Sequence, residues 1–586
     1  MPSFKRLSLI LLSSCAGLAL AGCDGAASVA SPGAGTIVFP TPTPAATPTP
    51  TPTTTPTPTA NFATTTQSGV TVTLDEQLAV FNAGTGNTLN GSNPLNGFAP
   101  QGAAASLAPF NAATLNPFLV STGFIGAVAN SSDTSFRDWT CSSSTLNFTT
   151  SGTIPAANSC VASLGRSAAA PAASACIAGT TDAGTNSNYR LCRLPTLVAG
   201  TLTLTKVDGV VYQINGRVDV GVDVGTTGAA AGGAAATLNV DPGVIIAANP
   251  NDAANDFMVV NRGSKLNAIG TVAQPIIFTS QQNLAAAGTS DATQGQWGGV
   301  ILAGRAPISN CIAGVNDAAG SSTTCEAVVE GTGNALYGGA VPTDSSGTMQ
   351  YVQIRYSGTE ITPNNELQGL TLGGAGSGTV LDHIQIHNSS DDGVEIFGGR
   401  SNLKYIAITG ADDDGFDVDV GWRGFVQFLI VAQKTIGATS DSFSTEIDSN
   451  GNEDLLPRTF GTYANFTFIG NTASVPATIR LRGGADFTFV NGIVKSVGPC
   501  LNIVAGADAG GLAGAGGSPP GGRRNLWRSL QPDRRCGGRN RLAADDRNGA
   551  THAGTGRLAI LFPFTVRRFR ALALADTNPS GIARTG

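Results

Sequence analysis

Charge is what this chain has least of: only 12% of its 586 residues are Asp, Glu, Lys or Arg. Beyond the first two dozen residues no segment holds apolar residues at helical spacing for long, so helical crossovers between strands are not expected. No Cys-x-x-Cys occurs among the ten cysteines, which argues against a cysteine metal site. Phosphate loops, dinucleotide fingerprints and Ser or Cys nucleophile motifs are missing. Gly373-Gly374-Ala375-Gly376 sits in a strand–turn setting rather than ahead of a helix. What is abundant is glycine, at 76 residues, together with Val, Ile and Thr, the composition of extended structure broken by frequent turns.

The two ends read differently from the middle. Lys5 and Arg6 precede an apolar run, Leu7 to Leu20, which is too short for a comfortable membrane span. It closes on Leu20-Ala21-Gly22-Cys23, the order of charge, apolar run and small residues that a lipoprotein signal peptidase cuts. Residues 1–22 are therefore expected to be a signal peptide and Cys23 the lipidated residue, making the protein exported and lipid-anchored at the outer membrane or the periplasmic face of a membrane. Residues 23–62 form a Thr/Pro-rich tether, since proline fixes φ and removes donors. Residues 63–195 are a cysteine-containing N-terminal region, and 196–505 the main body. The segment 506–586 is basic: residues 511–586 hold 13 Arg, no Lys and four acidic residues. It reads as a disordered or frameshifted tail. The body before it is acidic, which disfavours nucleic acid as a partner.

An exported chain sits where disulfides persist. Cys311 and Cys325 flank a polar loop and are expected to pair. Cys141, Cys160, Cys176 and Cys192 are expected to form two further bridges of undetermined connectivity.

The main body repeats. Leu381-Asp382-His383-Ile384-Gln385-Ile386, Leu403-Lys404-Tyr405-Ile406-Ala407-Ile408 and Phe425-Val426-Gln427-Phe428-Leu429-Ile430 lie at a constant offset of 22. Alternation points Ile384, Ile406 and Phe428 inward, and likewise Ile386, Ile408 and Ile430. Strands stacked this way without helices make an all-β solenoid, a right-handed parallel β-helix of about 22 residues per rung. Asp391-Asp392-Gly393 recurs as Asp413-Asp414-Gly415 and Glu395 as Asp417, which stacks carboxylates along one edge. Arg480 is expected in the same column, two rungs beyond Asp417.

The chain resembles the lipid-anchored right-handed β-helix lipoproteins of envelope-associated, sphingomonad-like bacteria. Asn261-Arg262-Gly263-Ser264, Gln296-Trp297-Gly298-Gly299, Val329-Glu330-Gly331, Asn365 to Gly374, Ser390 to Gly393 and Asp448 to Gly451 carry the resemblance. It spans about Cys192 to Ile503 and implies a fold and a place rather than a reaction. Further rungs expected after Ile503 are missing.

Three readings of the stacked acids stand open. Asp and Gly are turn residues in their own right. Like charges on adjacent rungs repel, however, which a calcium ion held by Asp412, Asp414, Asp417 and Asp419 would relieve. Asp448 to Asp454 resembles part of a calcium loop. Alternatively one carboxyl stays protonated as a general acid, with Asp391, Asp392, Asp413 and Asp414 the catalytic candidates. Polygalacturonase marks such as Gly-His-Gly are missing, and no signature frames Lys404, Arg423 or Arg480 as lyase cations. Trp422 and Tyr405, with Trp297, are candidates for a sugar-stacking platform, and Glu395, Asp417 and Arg480 for ligand contacts. His383 and His387 read as surface or ladder residues. The expected function is an envelope-anchored binding or scaffold protein for a glycan or an outer-membrane protein partner. The alternative is a carbohydrate-active enzyme, a polysaccharide lyase or glycoside hydrolase.

Overall fold

The computed structural model describes residues 109–130, 133–148, 159–166, 175–251, 255–362, 365–434, 439, 442–450, 455–470, 477–496, 500–503, 557–561 and 564–566. The signal segment, Cys23, the tether and 451–454 of the calcium-loop resemblance lie outside them. Short β-runs punctuated by glycine wind into a parallel β-helix, as the repeat predicts. One face is a ten-stranded sheet, parallel throughout, running from Leu197–Val198 to Leu501–Ile503. A 17-stranded sheet forms the remaining sides.

That larger sheet bends at one residue per rung. Gln350 pairs with Asp382 and Val352 with Ile384, but the residue between drops out of register. Tyr351, His383, Tyr405, Phe428, Asn465 and Asn491 occupy these corners, all with φ between 51 and 61°. A left-handed conformation strains side-chain-bearing residues. Here it is offset by stacking: His383 lies 4.4 Å from the Tyr351 ring and 4.3 Å from Tyr405, and Tyr405 lies 4.6 Å from Phe428.

The corners correct the expected register at one rung. Ile406 pairs with Leu429 and Ile408 with Val431, so Leu429 and Val431 enter the core, not Phe428 and Ile430. The turn after Phe416–Asp419 holds one residue more than its predecessor, which makes that offset 23. Because strand side chains alternate faces, a one-residue slip turns Phe428 and Ile430 outward, where they join a separate apolar cluster with Phe136, Trp139 and Phe148.

This second cluster exists because residues 109–130, 133–148 and 159–166 lie across the outer face of the large sheet. Outward amides hold that strap by its backbone. Asn491 accepts from Phe110 N and donates to Phe110 O, both at 2.8 Å. Gln427 does the same to Val120 at 2.8 Å, and Gln385 to Cys141 at 2.7 and 2.8 Å. Disulfides join Cys141 to Cys160, Cys176 to Cys192 and Cys311 to Cys325. The strand Tyr189–Arg193 already pairs in parallel with Val210–Ile214, so the solenoid begins within the cysteine region. At the far end Gly492–Ser496 and Asp486–Val490 pair antiparallel with Arg557–Leu561 and Phe564–Val566 of the tail, covering an edge that would otherwise be open.

An insert, residues 304–346, leaves the solenoid after Gly299–Ala303 and packs Ile308, Cys325, Val329 and Tyr337 onto outward Val259 and Ile301 of the ten-stranded sheet. Buried Arg262 anchors it, pairing with Asp223 at 2.5 Å and Glu326 at 2.8 Å. Among the described residues no helix is long and apolar enough to cross a membrane.

Candidate functional site

Outward residues of the ten-stranded sheet stack into one column: Thr371 pairs with Glu395, Glu395 with Asp417, Asp417 with Glu446 and Glu446 with Arg480. Arg480 thus stands two rungs beyond Asp417, and Glu446 is a member that the sequence repeat did not reveal. The turns that enter these strands add a second acidic tier. Gly393 N donates to Asp414 O and Asp414 N to the Asp392 side chain, at 2.9 and 2.8 Å, which locks one Asp-Asp-Gly turn onto the next. Part of each carboxylate therefore does turn work, and part faces its neighbours.

The two tiers converge. One carboxylate oxygen from each of Asp391, Asp392 and Asp413 lies within 4.8 Å of the others, and so do those of Asp392, Glu395 and Asp417. Asp392 belongs to both triads. Glu395 is 8% exposed, and its Oε2 is buried without a hydrogen-bond partner. Glu330 arrives from the insert: Gln368 Nε2 donates to it at 2.9 Å and to Asp391 at 3.3 Å.

Burial, reinforced by like charge, governs the electrostatics here. It pushes Asp391, Asp392, Glu395, Asp414 and Asp417 well above the usual carboxylate range, with neighbouring acids adding to the rise. Burial also takes Glu330 up to about 7, and Asp419 to about 8 with help from Asp448. Among the described residues, arginines pair with the acids at the Glu446–Asp448 end. Arg480 meets Glu446 at 3.1 Å, and Arg482 meets Glu446 and, at 3.3 Å, Asp448. An all-oxygen donor set like that of the Asp392 triads suits a hard cation such as calcium.

Several expected site residues lie elsewhere. Asp412 is turned away, to Lys434 at 3.1 Å and Gln294 at 2.7 Å, and Asp419 belongs to the end beside Asp448 and Arg482. The set Asp412, Asp414, Asp417 and Asp419 is therefore not brought together; the metal-capable groups center on Asp392. Trp422 is 0% exposed, its indole N–H donating to Ser401 O at 3.1 Å, and Trp297 is equally interior. Neither can stack on a sugar. Tyr405 stands in the corner stack under Phe136. His383 belongs to that stack. His387 is fully buried, held by Thr409 at 2.9 Å and lowered by burial to about 3. Glu330, Glu446 and Arg482 were not singled out as site residues, and Asp448 entered only within the stretch that resembles part of a calcium loop. Glu330 lies within Val329-Glu330-Gly331, but its spacing from the turns gives no hint of contact.

A family model described as pectate-lyase like beta helix domain matches residues 221–513, which include the acidic column and both Asp-Asp-Gly turns. No match is found among curated proteins or solved structures. Covering half of the chain and the same stacked rungs, that match shows that the chain belongs to the pectate-lyase-like β-helix family.

Proposed function

We propose that this is an exported, lipid-anchored β-helix protein that binds an envelope or extracellular glycan along the acidic wall, with calcium held between Asp391, Asp392, Glu395, Asp413 and Asp417. The observation that carries the reading is the pair of carboxylate triads sharing Asp392, with a buried, unpartnered Glu395 oxygen aimed among them. Two like charges about 4–5 Å apart repel by several kcal/mol away from bulk water, so a bound divalent ion or retained protons must answer them. Calcium bridging protein carboxylates to sugar oxygens would couple metal and glycan binding. The family's printed description supports a carbohydrate ligand, and the three disulfides among the described residues support an oxidising compartment. The test is a glycan array on the mature protein with calcium and with chelator. Calcium-dependent retention of a glycan class supports the reading; no glycan bound by folded, calcium-loaded protein sinks it, leaving the scaffold role for a protein partner.

A second reading, a carbohydrate-active enzyme, is favoured by Glu330 near 7 and Asp419 near 8, carboxyls that hold a proton at neutrality as a general acid must. New reducing ends or unsaturated uronate products from acidic polysaccharides, lost in Glu330→Gln, would establish it. Binding without turnover would leave the binding role alone.

A further inference from the structure

Two arginines gather where the chain leaves the ten-stranded sheet. Arg400 follows the strand Val394–Phe397, and Arg423 follows Phe416–Asp419 one rung on. The Arg423 backbone N–H donates to Gly399 O at 3.1 Å, fixing one turn over the other. Arg400 Nη1 donates to the carbonyls of Gly399 at 2.5 Å and Gly421 at 3.1 Å. Arg423 Nε donates to Arg458 O and its Nη1 to Ala318 O, both at 3.0 Å. Every one of these acceptors is a neutral carbonyl.

No carboxylate pairs with either guanidinium among the described residues. Asp486, whose charge acts on Arg423, pairs with Arg458 at 3.7 Å. Asp317, on the loop beside them, is spent on its own turn, accepting from Ala319 N at 2.9 Å and Ser321 N at 3.0 Å. That loop belongs to the segment closed by Cys311–Cys325 and brings Gly320 close: a Cβ there would lie 3.5 Å from Arg400 Nη2. Nη2 itself has no acceptor among the described residues, and it is not sealed off from solvent. Burial, and then Arg423, lowers Arg400 to about 9. Holding two poorly hydrated like charges on adjacent rungs is costly unless an anion joins them.

We propose that Arg400 and Arg423 form an oxyanion site, with the 317–320 turn as its wall, that takes a sulfate, phosphate or carboxylate group. Guanidinium N–H groups left over from carbonyl binding match such oxygens in charge and in geometry. The site lies at the opposite end of the strand from the Asp392 triads, about 10 Å of extended chain away, and does not depend on calcium there. The same chemistry is offered by a sulfated or uronate glycan and by a phospholipid headgroup.

The probe is inorganic sulfate on the full-length mature protein. Thermal melts in sodium sulfate and in sodium chloride of equal ionic strength are compared for the parent, Arg400→Gln and Arg423→Gln. Sulfate should stabilise the parent beyond chloride, and either substitution should raise the half-effective sulfate concentration about tenfold or more. Crystals grown with selenate should show anomalous density between the two guanidiniums, which decides the matter even where a variant fails to fold. Sulfated oligosaccharide, uronate oligosaccharide and acidic-phospholipid vesicles, each read against both variants, identify the source of the anion. A sulfate effect of equal size in folded variants, or selenate density absent from the pair, overturns the site.

Discussion

Asp392 is the residue on which the acidic wall turns, and its consequences are measurable in pH and in metal. Glu330 and Asp419, raised to about 7 and about 8, hold protons in the fold that the unfolded chain releases near pH 4. The stability they lend is complete below the unfolded value and is lost as pH rises through the folded one. The calcium-free protein should therefore melt at a higher temperature at about pH 5 than at about pH 8, the reverse of a fold held by paired carboxylates. Calcium competes with those protons, so its stabilising effect should grow over the same interval. At about a hundred times its Kd it should reach about 2.7 kcal/mol. Scanning calorimetry of the parent and of Asp392→Asn/Asp417→Asn checks both: the double variant should lose the calcium shift while keeping the pH slope that Glu330 and Asp419 supply. A calcium shift that survives in it would move the ion away from the triads. The sequence made Asp391, Asp392, Glu395, Asp413 and Asp417 legible because they repeat with the rung. It could not show that Trp422 is interior, because an indole suits a core or a surface equally and the choice rests on whether its N–H finds a partner such as Ser401 O. Glu330 and Glu446 were hidden for different reasons, one in an irregular insert and the other behind a longer rung.

At the scale of the element, the rung is set by how tightly its corners close. Gly369, Gly393 and Gly415 recur where the chain turns into the ten-stranded sheet. A Cβ on Gly393 would meet Ile408 Cγ2 at 2.4 Å and Gly415 O at 2.6 Å. One contact is core and the other is backbone, so neither yields easily. Gly393→Ala should destabilise by about 1–3 kcal/mol, whereas Gly123→Ala, whose Cβ would meet nothing within 4 Å, should be close to neutral. Urea unfolding of the two variants tests this, and equal midpoints would mean that the corner relaxes. These glycines and the apolar rows made the solenoid readable, since both repeat. The slip at Phe428 was not readable, because the extra turn residue near Trp422 leaves the pattern of alternation intact and moves only its phase. Nor was the strap: Gln385, Gln427 and Asn491 look like ordinary outward polar residues until a second segment supplies the backbone they clamp.

The strap gives the whole molecule a direction. Phe110 lies beside Asn491, Val120 beside Gln427, Cys141 beside Gln385 and Cys160 beside Tyr356, so the chain runs against the winding of the solenoid. Whatever precedes residue 109 therefore joins the fold at its last rungs. If Cys23 carries lipid, those rungs face the membrane and the first ones point away. Ten strands at ~4.8 Å spacing put the ends of the sheet about 43 Å apart. A fluorophore at exposed Val380 should then be quenched more by headgroup quenchers in liposomes than one at exposed Thr203, nearer the first rungs. Val380→Cys and Thr203→Cys in the lipidated protein make the comparison. Stronger quenching at 203 would mean that the solenoid lies the other way up, with the acidic wall and the Arg400–Arg423 turn presented from the opposite end.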